Sequence, residues 1–256
     1  MLLPTMTYKE MYDHLVIDKQ KVDIKKEYLL PKAIKALKKA KKFPACEYFD
    51  YKIPTTNNQY IIFFYAQNNK QVEKPEVGSF CIVFAENKRY IIRWIAGGYK
   101  HTPESKMILL RQIHAYTSHF FQRYNERFLK NNNLSSNEII CRFFGRNKDI
   151  MPIKINEGIN RNIEKYGENG MQGFRVRDGF CFTQTAIEGK FDSNGNREKD
   201  EVDAMLILYK TYMPESIMEL TQQTAIEKVY YNTWDIFFND LQKESESGSI
   251  TLTLSK

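Results

Sequence analysis

Cysteine is scarce in this chain. The four cysteines, Cys46, Cys81, Cys141 and Cys181, lie far apart and form no CxxC pair. Zinc ribbons need thiolates paired at short spacing, so no metal site of that kind is expected. A disulfide-built secreted scaffold is not expected either, because such domains are short and dense in cysteine. Cys81 and Cys141 sit in apolar runs and read as small hydrophobic residues. Long apolar runs are also missing. None approaches bilayer length, so no membrane partner is expected. Residues Met1 to Tyr8 carry no basic segment and no long apolar core, unlike a secretory signal, and the expected location is cytoplasmic. Cofactor motifs are lacking as well. Gly167, Gly170 and Gly173 have no strand-turn-helix context, and the Asp192–Asn196 run reads as a turn rather than a calcium loop. No cofactor and no metal are expected.

The chain does have a hydrophobic content of 42% and an aromatic content of 14%, which supply a real core. It carries a net charge of +7, which favours a polyanionic partner such as RNA, DNA or an anionic surface, or belongs to a soluble protein that is simply basic. Its wealth of Lys, Asn and Ile suggests an AT-rich bacterial or phage genome.

Along the chain, Thr5 to about His14 reads as a short capped helix. A second helix is expected to start at Pro31, with Lys35, Lys38, Lys39 and Lys42 around a narrow apolar stripe. That lysine face suits nucleic acid, or is simply solvated. Tyr60–Tyr65, Phe80–Ala85 and Tyr90–Ile95 read as strands, the last two joined by a turn at Glu86–Arg89. Gly97-Gly98 breaks the pattern. Residues 107–116 read as a strand, with Thr117 or Ser118 capping a helix from His119, or alternatively as the first turns of one long helix. Ser135-Ser136-Asn137-Glu138 is a capping box for a further helix to about Phe144. Residues 151–173 read mainly as loop. A strand bent at Asp178-Gly179 follows, then a turn at Asn194-Gly195 and a return strand over 202–212. Pro214 is expected to open a long amphipathic C-terminal helix. The fold class is therefore α+β, an antiparallel sheet flanked by helices. The expected divisions are 1–100, 101–213, 214–244 and a tail over 245–256, with one continuous domain as the alternative.

His119, Arg123 and Arg127 recur every fourth residue and would share one helical face. Arginine forks bind phosphate oxygens and histidine moves protons near neutrality. Glu126 lies off that face and can pair with Arg123 or Lys130. A weaker metal reading combines His114, His119 and Glu126, although their spacing is not that of adjacent helical turns.

The His-x-x-x-Arg-x-x-x-Arg helix, the capped Ser-x-x-Glu-Ile-Ile helix and the strands around Phe180 and Leu208 together resemble the barnase–EndoU–colicin–RelE-like nuclease group. The resemblance runs from about Met107 to Met213. It implies a metal-independent ribonuclease of toxin type, with a protein inhibitor as partner. His119 would be acid or base, and Arg123 and Arg127 would hold the phosphate. Thr183 or Thr185, and Lys210 or Tyr212, would complete the site. Arg175, Arg177 and Lys210 would join the lysine helix in binding nucleic acid. The alternative is a nucleic-acid-binding protein without catalysis.

Overall fold

The computed structural model describes residues 1–3, 5–99, 108–154, 172–191 and 197–228. Its centre is a sheet in the order β1-β2-β3-β4-β5-β9-β8-β7-β6. The strands are β1 Ala45–Lys52, β2 Gln59–Ala66, β3 Glu76–Ala85, β4 Lys88–Tyr99, β5 Ile108–Thr117, β6 Ile150–Lys154, β7 Gln172–Val176, β8 Gly179–Phe191 and β9 Arg197–Pro214. Adjacent strands pair antiparallel except β5 with β9, which pair in parallel from Gln112↔Met205 to Tyr116↔Tyr209. The molecule is thus two antiparallel meanders, β1–β5 and β6–β9, joined at that parallel seam. A parallel pair needs a long crossover, and the second meander with its preceding helices supplies it.

Alternation along the strands divides the core into two layers. On β2, Tyr60, Ile62 and Phe64 join one cluster and Ile61, Phe63 and Tyr65 the other. The first cluster lies under α1, Tyr8–Leu37, through Leu15, Val22, Leu29, Ala33 and Leu37. The second lies under α2, Ser118–Tyr124, and α3, Ser136–Arg146. A central strand covered on both faces becomes continuously apolar, which explains Tyr60-Ile61-Ile62-Phe63-Phe64-Tyr65. A smaller cluster of Ile153, Phe180, Met218 and Ile226 involves the helical residues 220–228, here α4.

Several expectations need correction. The N-terminal region is one helix of 30 residues, opened by a Thr7–Glu10 capping box, with Pro31 inside it. Pro31 is exposed, so the carbonyl its missing N–H leaves unbonded can face water. β4 runs through Gly97-Gly98. β6 forms within a segment read as loop; it is an edge strand, where Pro152 is tolerated. Asp178-Gly179 is the turn between two strands rather than a bend in one. Pro214 closes β9 and a 3₁₀ turn follows, Glu215–Ile217. The proposed C-terminal helix is seen over 220–228; its continuation, the tail and the Asn194-Gly195 turn lie outside the described residues. The strands flanking residue 101 pair as Tyr99↔Ile108, so the sheet runs across that division. The strand expected over 107–116 is found at Ile108–Thr117, Thr117 caps a helix that starts at Ser118, and the Ser135–Glu138 box stands as expected.

Candidate functional site

The His119 stripe does not assemble. Thr117 is the cap of α2, and its hydroxyl already accepts from Phe120 N–H. After Tyr124 the helix widens into a π-helical turn, Asn125–Leu129. The extra residue in that turn breaks the four-residue spacing, so Arg127 leaves the face of His119 and Arg123. Arg127 Nη1 instead donates to the Tyr212 carbonyl at 2.6 Å. Arg123 is bound to Glu126 at 2.8 Å, and its Nε approaches His119 Nε2 at 3.3 Å. His119 is on the open surface, whereas Thr183 and Tyr212 are buried. Thr185 is half-buried and Lys210 exposed. Among the described residues His119 and Arg123 stay on the surface while Arg127, Thr183 and Tyr212 turn inward, so these groups do not converge on one shared point.

The expected partners are corrected by the same geometry. Of Lys35, Lys38, Lys39 and Lys42, only Lys35 lies in α1; Lys38 is its C-cap and Lys39 and Lys42 follow in the connection to β1, so the four do not form one helical face, and Lys38 pairs with Glu73. Arg175 lies on β7 and is taken up by Glu215 and by the carbonyls of Val176 and Gly179. Arg177 is exposed in the turn after β7, and Lys210 on β9. β1 and β7 lie seven strand spacings apart, roughly 34 Å. No shared basic track joins these side chains, which removes the ground for a nucleic-acid partner and for an inhibitor of a nuclease. The metal reading also separates: His114 is fully buried, while His119 and Glu126 are exposed. Among the described residues no helix is long and apolar enough to cross a membrane.

A different site lies inside the sheet. β3 and β4 pair only from Ala85↔Lys88 to Cys81↔Ile92. Beyond that point Glu76–Phe80 stay with β2, and Arg93–Tyr99 stay with β5. The two strands splay and leave a wedge. A cavity of about 190 Å³ fills its apex, lined by Val77–Cys81 of β3, Ile92–Trp94 of β4, Tyr60, and Leu15, Lys19, Val22, Asp23 and Lys26 of α1. Gly78 yields its side-chain volume to Phe63, since a Cβ there would stand 2.3 Å from the ring.

Lys19, Lys26 and Arg93 outnumber Asp23 in the cavity lining, and the buried Asp18 carboxylate lies behind Tyr60. Lys19 and Lys26 both bond Asp23, at 2.6 and 2.9 Å. Burial pushes the Asp23 carboxyl up, but hydrogen bonds from the two lysines outweigh it and hold it below the carboxylate range. One lysine charge remains uncompensated in that trio. On the other side of the gap Arg93 lays its guanidinium over the Phe144 ring at 4.7 Å. Burial lowers its pKa, with only the Tyr116 and Tyr209 phenols acting in the opposite direction. Among the described residues no carboxylate pairs with it. Burial and the adjacent Arg93 charge drive His114 down to about 3, so its imidazole is neutral. It bonds Tyr209 Oη at 2.8 Å and Gln112 Oε1 at 3.1 Å. Tyr60 donates to the buried Asp18 at 3.0 Å. Burial raises the Cys81 thiol to about 12 and the Tyr60 phenol further still. These two groups therefore titrate far from neutrality, which suits binding rather than proton transfer.

Sequence reasoning missed Arg93, Lys19, Asp23 and Lys26 as a group, because the cavity arises from strand pairing between distant segments. The one local signal was a lone arginine within an apolar strand, Ile91-Ile92-Arg93-Trp94. Comparison with protein-family models, with curated proteins and with solved structures gave no match. The fold defines a mixed α+β protein with a large, mostly antiparallel sheet.

Proposed function

We propose that this protein is a non-catalytic binding module that receives an anionic group in the wedge between β3 and β4. The observation that carries the reading is Arg93, a residue of the cavity lining whose guanidinium lies over the Phe144 ring on the α3 side of the sheet, with no carboxylate paired to it among the described residues. Withdrawing such a cation from water costs free energy that an incoming carboxylate or phosphate oxygen offsets. The surplus lysine charge of the Lys19–Asp23–Lys26 trio acts in the same direction. The volume admits a group of a few heavy atoms and excludes a whole nucleotide. The test is thermal unfolding with increasing acetate or inorganic phosphate at constant ionic strength. Saturable stabilisation is expected, lost in Arg93→Gln. Equal stabilisation of wild type and variant overturns the reading.

A further inference from the structure

We infer that α1 pairs with α1 of a second copy of this chain, antiparallel, about a two-fold axis that passes between Val22 and Asp23. This pairing is independent of the anion-binding reading. Leu15, Val22, Leu29, Ala33 and Leu37 turn the helix to the core. Ile17, Ile24 and Tyr28 point away from it and are 64%, 61% and 73% exposed. At 3.6 residues per turn these three fall within about 40° of one another. Single exposed apolar residues are ordinary on a protein surface, but three aligned along one helix form a second apolar seam.

Charge along the seam selects the partner and its direction. Glu10 and Asp13 precede the apolar residues on this side of the helix, and Lys32 and Lys35 follow them. The order is acidic, apolar, basic. A two-fold contact sets residue i against residue j and j against i. Two such helices run antiparallel about the stated axis bring Ile17 against Tyr28, Lys21 against Ile24, and the Glu10–Asp13 end against the Lys32–Lys35 end, each twice. A parallel pair would set acid on acid and lysine on lysine. Lys21 lies within the apolar middle, and Thr55 Oγ1 draws its ammonium aside at 2.5 Å. Among the described residues neither Lys32 nor Lys35 is paired with a carboxylate; Lys32 lies over the Phe49 ring at 5.0 Å. Glu10 gives one oxygen, Oε2, to the Thr7 N–H. Asp13 is shared between Lys9 at 2.9 Å and Arg111 at 3.9 Å. Surface pairs of that kind are worth little, so Asp13 can turn to a lysine of the second copy at small cost. From Glu10 to Lys35 the contact runs about 38 Å along the helix, at 1.5 Å per residue.

The test is sedimentation of the full-length protein over a range of concentrations. A concentration-dependent dimer is expected, weaker at high salt because its two ends are charged. Ile24→Lys, which sets a lysine against Lys21, and Lys32→Glu/Lys35→Glu, which sets acid on acid, should each raise the dissociation constant at least about tenfold. These residues are exposed, so circular dichroism and Tm should match wild type. Mild oxidation reads the register. Ile17→Cys/Tyr28→Cys should give a disulfide-linked dimer. Wild type and Ile17→Cys alone should not, because the two copies of position 17 stand roughly 16 Å apart along the helices. A protein that stays monomeric at every concentration overturns the inference. A dimer unaffected by Ile24→Lys also overturns it, as does equal cross-linking of the single and double variants. None of these outcomes bears on the anion site, for which α1 supplies Lys19, Asp23 and Lys26 to the cavity lining.

Discussion

Arg146 holds Asp178 with two parallel hydrogen bonds, Nη2 to Oδ1 at 2.7 Å and Nε to Oδ2 at 2.8 Å. Tyr124 Oη and Asn147 Nδ2 donate to the same Oδ2, at 2.7 and 3.0 Å. Asp178 returns its N–H to Asn147 Oδ1, and the Tyr212 hydroxyl donates to its carbonyl. The turn between β7 and β8 is thereby locked to the ends of α2 and α3. Removing one member leaves a buried charge without its partner. Arg146→Met is expected to cost about 3–5 kcal/mol of stability, read as a lower urea midpoint. An unchanged midpoint would show that this network does not hold the turn.

Gly145 sits where α3 presses on β2. A Cβ at that position would stand 2.4 Å from Cγ of Tyr65, whose ring is buried. Gly145→Ala should therefore destabilise by roughly 1–3 kcal/mol, although alanine is the better helix former. Thermal melting distinguishes the two tendencies: a raised Tm would mean that helix propensity wins and the contact yields.

What could be read from the sequence was local. The Ser135–Glu138 capping box, the Thr117 cap and the apolar strands Tyr60–Tyr65 and Phe80–Ala85 are written in neighbouring residues, and each formed as expected. The His119–Arg123–Arg127 row failed for a reason local spacing does not show. Burial of Tyr124 and half-burial of Phe128 against the core accompany a π turn that redirects Arg127 to Tyr212. β6 was hidden because Pro152 speaks against a strand unless the strand is known to be at an edge. The wedge was invisible because it depends on where β3 and β4 stop pairing, a property of tertiary twist rather than of either strand's sequence.

Pro31 stands in the helix interior, on the solvent side of α1. It removes one backbone hydrogen bond and crowds the carbonyl four residues before it. Since α1 covers the first layer of the core through Leu29, Ala33 and Leu37 on both sides of this point, the helix persists by packing. Pro31→Ala should restore the bond and stabilise the protein by about 1–3 kcal/mol. Reversible thermal unfolding measures it; a variant of lower stability would mean that the proline's restraint of the unfolded chain outweighs its cost in the helix.

His114 sets a pH dependence whose sign can be worked out. Its folded pKa is lowered to about 3, first by burial and then by the charge of Arg93, from an ordinary value of 6.5. Between these values the unfolded chain binds a proton that the folded chain does not. Stability therefore rises with pH through this window and is lost as pH falls from about 6.5 towards 3. The full loss is on the order of 5 kcal/mol. His114→Gln keeps a polar side chain on β5 without a group that titrates, so it should flatten that part of the profile while lowering stability at neutral pH. Urea unfolding at a series of pH values between 7 and 4 checks both. If wild type and variant lost stability in parallel, carboxylates alone would account for the acid limb, and the imidazole would not be held neutral by the Arg93 side of the wedge.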